Sequence, residues 1–293
     1  MIYTYIAYEL ILQVPFPCPI LPLAPQDAVP DVIVQEGPVP ARLTAPLAQD
    51  QMWQAEVDRF LWRGGARAGR FLVEGGQHIT LQRNPKAENE ALAFHFLTTI
   101  MTALLRQRGL LVLHANAAVT TSGAIAIAGL SGAGKSTTLA ALLKRGCAML
   151  ADDVTVLRLR ADGGLEVLPG VPQLHLMEDA ASNLGQDIAE LPRYQWRRMK
   201  AAVPIETATA PAKLRSIYLL QIGDQDALQV QALNGAEKFV ALQECIYGPL
   251  LPPEHPRQFP LFAAVTDGVS IFRLTRPAER WSIDEVTQVL LNG

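Results

Sequence analysis

The chain is short of several things, and each shortage narrows what it can be. It has three cysteines in 293 residues: Cys18, Cys147 and Cys245, far apart and without a C-x-x-C pair. An odd, scattered set builds neither a disulfide framework nor a cysteine-rich zinc site, and it points to a reducing, cytoplasmic setting. No apolar run approaches the ~18 residues of a membrane-spanning helix, so no membrane is expected. The apolar N-terminus has no basic residues ahead of it and is broken by Pro15, Pro17 and Pro19, so it is not read as a signal peptide. Positive charge is not in excess: 25 Lys and Arg against 28 Asp and Glu give a formal net charge of −3. That lacks the basic footprint of a nucleic-acid-binding chain. Nor does any internal repeat stand out. Hydrophobic residues are plentiful at 49%, enough for an ample core, and the length leaves room for two domains.

Residues 1–86 read as a smaller, mostly β domain, and 87–293 as a larger α/β domain. In the first, residues 2–12 read as one strand and residues 31–34 as another. The run Arg70-Phe71-Leu72-Val73, the Gly75-Gly76 pair and His78-Ile79-Thr80-Leu81 form a hairpin signature. Residues 87–107 read as one helix with an apolar stripe of Leu92, Phe96, Ile100 and Leu104, ended by Gly109. Beyond it, residues 110–119 read as a strand, and 154–159 with 165–168 as a hairpin. A helix is expected over 174–183, strands over 213–222 and 270–274, helices over 236–247 and 282–291, and a Pro-rich loop over 249–260. The basic, aromatic cluster at 193–200 reads either as a solvated helix face or as a segment facing phosphate or substrate.

One stretch organises the larger domain. Gly129, Leu130, Ser131, Gly132, Ala133, Gly134, Lys135, Ser136 and Thr137 fit G-x-x-x-x-G-K-[ST] at every fixed position. The apolar Ala124-Ile125-Ala126-Ile127-Ala128 before it reads as a buried strand, and Leu139, Leu142 and Leu143 after it lie on one helical face. Such a loop brings backbone N–H groups and a helix N-terminus to bear on phosphates. Lys135 can reach the β- and γ-phosphates, and the Ser136 hydroxyl can ligate Mg²⁺.

One helix downstream, an apolar strand ends in Asp152-Asp153. A carboxylate there can hold or orient Mg²⁺, and a second can take a proton from an attacking hydroxyl. With only one helix between Ser136 and Asp152, the two strand ends can be neighbours in one βαβ unit. His114 lies on the strand that should pair with the loop strand. It reads equally as a core histidine bonded to backbone or as a polar group beside a nucleotide.

Leu113-His114-Ala115, Gly129 to Thr137, Arg145-Gly146 and Leu150-Ala151-Asp152-Asp153-Val154 together resemble the catalytic domain of the HPr serine kinase/phosphorylase family. They are most similar to its HPr-kinase-related subgroup, found with modified-peptide gene clusters and including kinases that tailor lasso-peptide precursors. The resemblance is strongest over about residues 110–180. It implies an HPr-kinase-like P-loop core in an α/β fold, to which the smaller, mostly β N-terminal domain read above is joined. It also implies an ATP- and Mg²⁺-dependent serine kinase whose partner is a peptide or protein carrying the acceptor hydroxyl. Lys135 would grip phosphates, Ser136 and Asp152 would hold the metal, Asp153 would be the base, and His114 would tune it. The division of labour between the adjacent carboxylates stays open, since such a pair can titrate as one unit.

Three departures stand out: Cys147 replaces the usual histidine after Arg-Gly, the glycine-rich signature of the bifunctional enzymes is not recognisable, and the N-terminal domain does not read like theirs. Together they argue against HPr as substrate and against the reverse reaction. Whether the chain forms the homo-oligomer of those enzymes is left open. HPr(Ser) kinase, small-molecule kinase and regulatory nucleotide-binding protein are the alternatives.

Overall fold

The computed structural model describes residues 1–177, 200–248 and 255–293. The cluster at 193–199 and most of the helix expected over 174–183 lie outside the described residues. Contacts divide the chain into two compact units, Met1–Val112 with Gly248–Phe259, and Leu113–Tyr247 with Pro260–Gly293. The helical stretch assigned from sequence to the larger domain therefore groups with the first unit.

The first unit is built on an eight-stranded mixed sheet: β1 (Tyr3–Ala7), β2 (Leu10–Val14), β3 (Val32–Glu36), β4 (Ala48–Gln49), β5 (Trp53–Glu56), β6 (Arg59–Gly65), β7 (Gly69–Glu74) and β8 (His78–Arg83). Their order is β1-β2-β3-β8-β7-β6-β5-β4. The β7–β8 hairpin is as expected, with Phe71 opposite Leu81 and Val73 opposite Ile79. The single strand expected over 2–12 is instead the β1–β2 hairpin. Tyr8 and Glu9 turn the chain with φ of 53° and 60°, a role usually signalled by Asn or Gly, so the turn is hidden in the sequence.

The helix expected over 87–107 is α1 (Asn89–His95), a π-turn (Phe96–Ile100) and α2 (Met101–Gln107). A stripe repeating every four residues drifts about 40° per repeat on an ideal helix. The wider π-turn unwinds that drift, and Leu92, Phe96, Ile100 and Leu104 all stay fully buried.

In chain order there follow β9 (Leu111–Thr120), β10 (Gly123–Ala128), α3 (Lys135–Lys144), β11 (Ala148–Ala151), β12 (Val154–Leu159), β13 (Leu165–Val167), β14 (Gln173–Met177), β15 (Lys200–Pro204), β16 (Ala212–Gly223), β17 (Gln229–Ala232), α4 (Ala236–Glu244), α5 (His255–Gly268), β18 (Ser270–Pro277) and α6 (Ile283–Asn292). Hydrogen-bonded neighbours close a circuit β10–β9–β12–β13–β16–β10. β16 is parallel to both β10 and β18. Leu139 and Leu142 of α3 pack into one buried cluster with Ile125, Ile127, Tyr218, Leu274, Val286 and Leu290.

Three expectations need correction here. Residues from 174 begin a strand, not a helix: β14 pairs with β15, and Leu174 and Leu176 are fully buried either side of His175, an alternation that suits a strand's period of two. The Pro-rich stretch 249–260, expected as a loop, enters helix α5 at His255. And β10 and β11 are not direct neighbours, because β9 runs antiparallel between them, with Ala118 opposite both Ile125 and Met149. Among the described residues, no helix is long and apolar enough to cross a membrane.

Candidate active site

The glycine-rich loop leaves β10 at Ala128 and enters α3 at Lys135. Its first residue must be glycine for two reasons. Gly129 has a φ of 142°, and a Cβ there would sit 2.2 Å from the Leu220 carbonyl oxygen on β16. Leu130, Ser131 and Gly132 form an exposed crest, while Ala133 and Lys135 are buried beneath it. Thr138 N–H donates to the Gly134 carbonyl at 2.9 Å, the first bond of the helix. The amides before it have no partner within the helix and carry its positive dipole end. Lys135 is only 7% exposed. Its Nζ donates to the carbonyls of Gly129 at 2.8 Å and Leu130 at 3.3 Å, and lies 3.4 Å from His114 Nε2.

The carboxylates approach from the other side of β9. Asp152 is nearly sealed, its side chain 1% exposed. One oxygen, Oδ2, accepts from both the backbone N–H of His175 at 2.8 Å and ring Nδ1 of His175 at 2.9 Å. The other, Oδ1, accepts from the Ser136 hydroxyl at 3.3 Å. Asp153 adopts a φ of 66°, in the left-handed region that Asp tolerates better than most residues. Val154 N–H donates across it to the Asp152 carbonyl at 2.8 Å, closing a γ-turn of the strained kind. Backbone strain of this sort costs about 1–3 kcal/mol and persists where the surroundings enforce it.

Asn116, on the intervening β9 strand, supplies that enforcement. It is fully buried. Its Oδ1 accepts from Asp153 N–H at 3.2 Å, and its Nδ2 donates to Ser136 Oγ at 3.4 Å. The two bonds fix which way the amide points, and they link the loop helix to the carboxylate turn. Nearby, Thr155 Oγ donates to the Ala115 carbonyl at 2.6 Å, tying β12 to β9 just after that turn.

The sequence-predicted residues thus converge. Lys135, Ser136, Asp152 and Asp153 are gathered where β9, β10, β11 and α3 meet. His114 contacts Lys135, and its ring packs edge-on to Tyr247 at 5.4 Å between centroids. Its neighbour Cys245, whose carbonyl accepts from His114 N–H at 2.6 Å, has its thiol pushed up to about 12 by burial. A thiol held there is protonated at neutral pH and inert as a nucleophile.

No family model matches the chain, and no curated protein matches its sequence. One solved structure to which it is similar is the Hpr(Ser) kinase/phosphatase from Coxiella burnetii. The match is 14% identical, covers 62% of this chain and 91% of that one, and has a TM-score of 0.31. At that score the likeness assigns neither reaction nor substrate, and the site is read from its own geometry.

Sequence reasoning missed three residues. Asn116 carried a signal, an amide in an otherwise apolar, Ala-rich strand. His175 carried one too, in the alternation Leu-His-Leu. Arg276, whose Nε donates to the Ala133 carbonyl at 2.9 Å, carried none, since its approach to the loop depends on tertiary packing 143 residues away in sequence.

Proposed function

We propose that the chain is an ATP-dependent kinase that phosphorylates a serine hydroxyl of a peptide or protein. The carrying observation is the convergence of Lys135, Ser136, Asp152 and Asp153 on one junction, bridged by Asn116. The phosphates of ATP lie along the loop amides, with Lys135 released from the Gly129 and Leu130 carbonyls to reach them. The acceptor oxygen attacks the γ-phosphorus, the bond to the β–γ bridging oxygen breaks, ADP departs, and the hydroxyl proton passes to a carboxylate, assigned here to Asp153.

The donor set suits Mg²⁺. Ser136 Oγ and Asp152 Oδ1 are hard oxygens 3.3 Å apart, close to the ~3 Å edge of an octahedron with ~2.1 Å metal–oxygen bonds. His175 occupies Oδ2 and so turns Oδ1 towards Ser136. Mg²⁺ would neutralise charge on the phosphates, while Ser136 and Asp152 hold it. Among the described residues no group of three or more His, Cys, Asp or Glu clusters as a metal site, which agrees with an ion bound mostly through phosphate and water.

The acceptor class, a ribosomally made lasso-type precursor, comes from the sequence resemblance and not from the geometry. The N-terminal β unit is the segment we assign to its recognition. The test is intact-mass analysis of a candidate precursor with ATP and Mg²⁺, using wild type and Asp153→Asn. A mass gain of one phosphate with wild type alone supports the reading. Equal gain with both removes Asp153 from the base role. Tight ATP binding without transfer to any acceptor would make the chain a nucleotide-binding protein instead.

A further inference from the structure

We infer that Arg276, at the end of β18, is a positioning residue that holds the glycine-rich loop in its phosphate-accepting conformation. The inference rests on the phosphate-binding reading of that loop and adds a residue to it. Leu274 of β18 is fully buried in the cluster under α3. Arg276 is two residues on and therefore on the same face of the strand, where it emerges beside the loop. Its Nε donates to the Ala133 carbonyl at 2.9 Å and its Nη1 to the Pro277 carbonyl at 3.2 Å. A Cβ on Gly134 would lie 3.5 Å from Nε and 3.8 Å from Nη2, so the guanidinium lies directly along the Ala133–Gly134 backbone.

The consequence follows from peptide planarity. In a trans peptide the C=O and the following N–H point opposite ways. Pinning the Ala133 carbonyl towards Arg276 sends the Gly134 N–H to the far side. Gly134 has a φ of 106° and no side chain to hold it, so this peptide plane can flip with little steric penalty. A flipped plane would present a carbonyl oxygen to an incoming phosphate where an N–H is needed. Arg suits the task because its planar fork spans two carbonyls at once, and it keeps its charge although burial lowers its pKa. Lys135 ties the opposite end of the loop, at Gly129 and Leu130, so the two cations grip different peptide planes.

The experiment uses the full-length protein and three forms: wild type, Arg276→Gln and Arg276→Lys. Affinity for ATP with Mg²⁺ is measured calorimetrically, and hydrogen exchange is followed in the peptide covering residues 129–138. Arg276→Gln should weaken ATP binding about tenfold or more, the scale set by losing a hydrogen bond from a charged group. Exchange in the loop should quicken while the buried middle of α3 stays protected. Arg276→Lys, which keeps the charge but not the fork, should recover only part of the affinity and leave the loop amides fast. Affinity within about twofold of wild type in Arg276→Gln, or full recovery by lysine, overturns the inference. If wild type itself binds no ATP, the phosphate-binding reading fails, and the exchange measurement decides separately: unchanged loop exchange in both variants removes the clamp. Should Arg276→Gln not fold, Arg276→Lys carries both readouts, and wild-type affinity and exchange in it overturn the inference.

Discussion

The two units differ in what they bury. The first fills its interior with bulk: Phe16, Leu61, Phe71, Leu81, Phe96 and Met101 are essentially sealed from solvent. Its buried Gln54 works as a local staple, accepting from Leu43 N–H and donating to Gln49. The second unit packs small residues at its centre, Ala115, Ala117, Ala118, Ala126 and Ala128. These let strands and loop approach one another closely. Among them it buries Asn116, Lys135, Asp153, Thr155 and His175. Buried polar groups cost free energy unless they are paired. One unit's polar groups are scattered and structural, while the other's are concentrated and joined through Asn116, Ser136 and Asp152. Concentration, more than number, marks the site.

That contrast can be broken by substitutions in either unit. The largest effect should come from Asp153→Asn, since asparagine tolerates the left-handed backbone and keeps the shape but cannot take a proton. Phosphate transfer should fall by about 10²–10⁴, the usual share of general-base catalysis, while ATP affinity and thermal stability change little. A rate within error of wild type would place the base elsewhere. In the other unit, Phe71→Ala should cost about 3–5 kcal/mol of stability through a lost ring and its cavity. Folded protein should then bind ATP with unchanged affinity. Weakened ATP binding in folded protein would show that the division of labour is false. A smaller effect is expected for Asn116→Ala, about 1–3 kcal/mol for stranding the Asp153 amide and removing the amide donor to Ser136 Oγ. It should lower both stability and turnover, because its two bonds serve the fold and the site together. Urea unfolding and steady-state kinetics on one preparation would show whether the two losses travel together.

How much of this was legible depended on how local each feature is. The loop from Gly129 to Thr137 is a local device: strand, turn glycines and helix start lie within twenty residues, and all were read correctly as elements. The Gly75–Gly76 hairpin was legible for the same reason. The β1–β2 turn was not, because Tyr8 and Glu9 carry no turn signature and are held in positive φ by the strands they join. The order of strands was not legible either. Helix α3 between β10 and β11 suggested direct neighbours, but β9 intervenes, and only that placement brings Asn116 to both Ser136 and Asp153. His175 was lost for a similar reason. Its strand is defined by pairing with β15, 23 or more residues later in the chain, and so short a stretch of alternating residues does not by itself decide between helix and strand.

The smallest prediction concerns a titrating histidine in the interior packing of the first unit. His95 is half-buried, its ring 4.6 Å from that of Trp62. Burial foremost, and then the positive charge of Arg67, lowers its pKa from 6.5 to about 4. The folded state therefore resists a proton that the unfolded chain accepts. Above pH 6.5 both states are neutral at this residue and the full stability is present. As pH falls from 6.5 towards 4 the unfolded state takes up the proton first, and stability declines. Near and below pH 4 the folded state is protonated as well, and the loss is complete. Partial exposure screens the effect, which is why it ranks last. Urea midpoints followed by tryptophan fluorescence between pH 7.5 and 4.5 should fall for wild type and fall less steeply for His95→Gln. Arg67→Gln separates the two causes. It leaves burial in place but removes the charge, so the acid-sensitive window should narrow from its lower end without closing. If His95→Gln and wild type show the same pH slope, the acid sensitivity belongs to carboxylates elsewhere, and His95 contributes nothing to it.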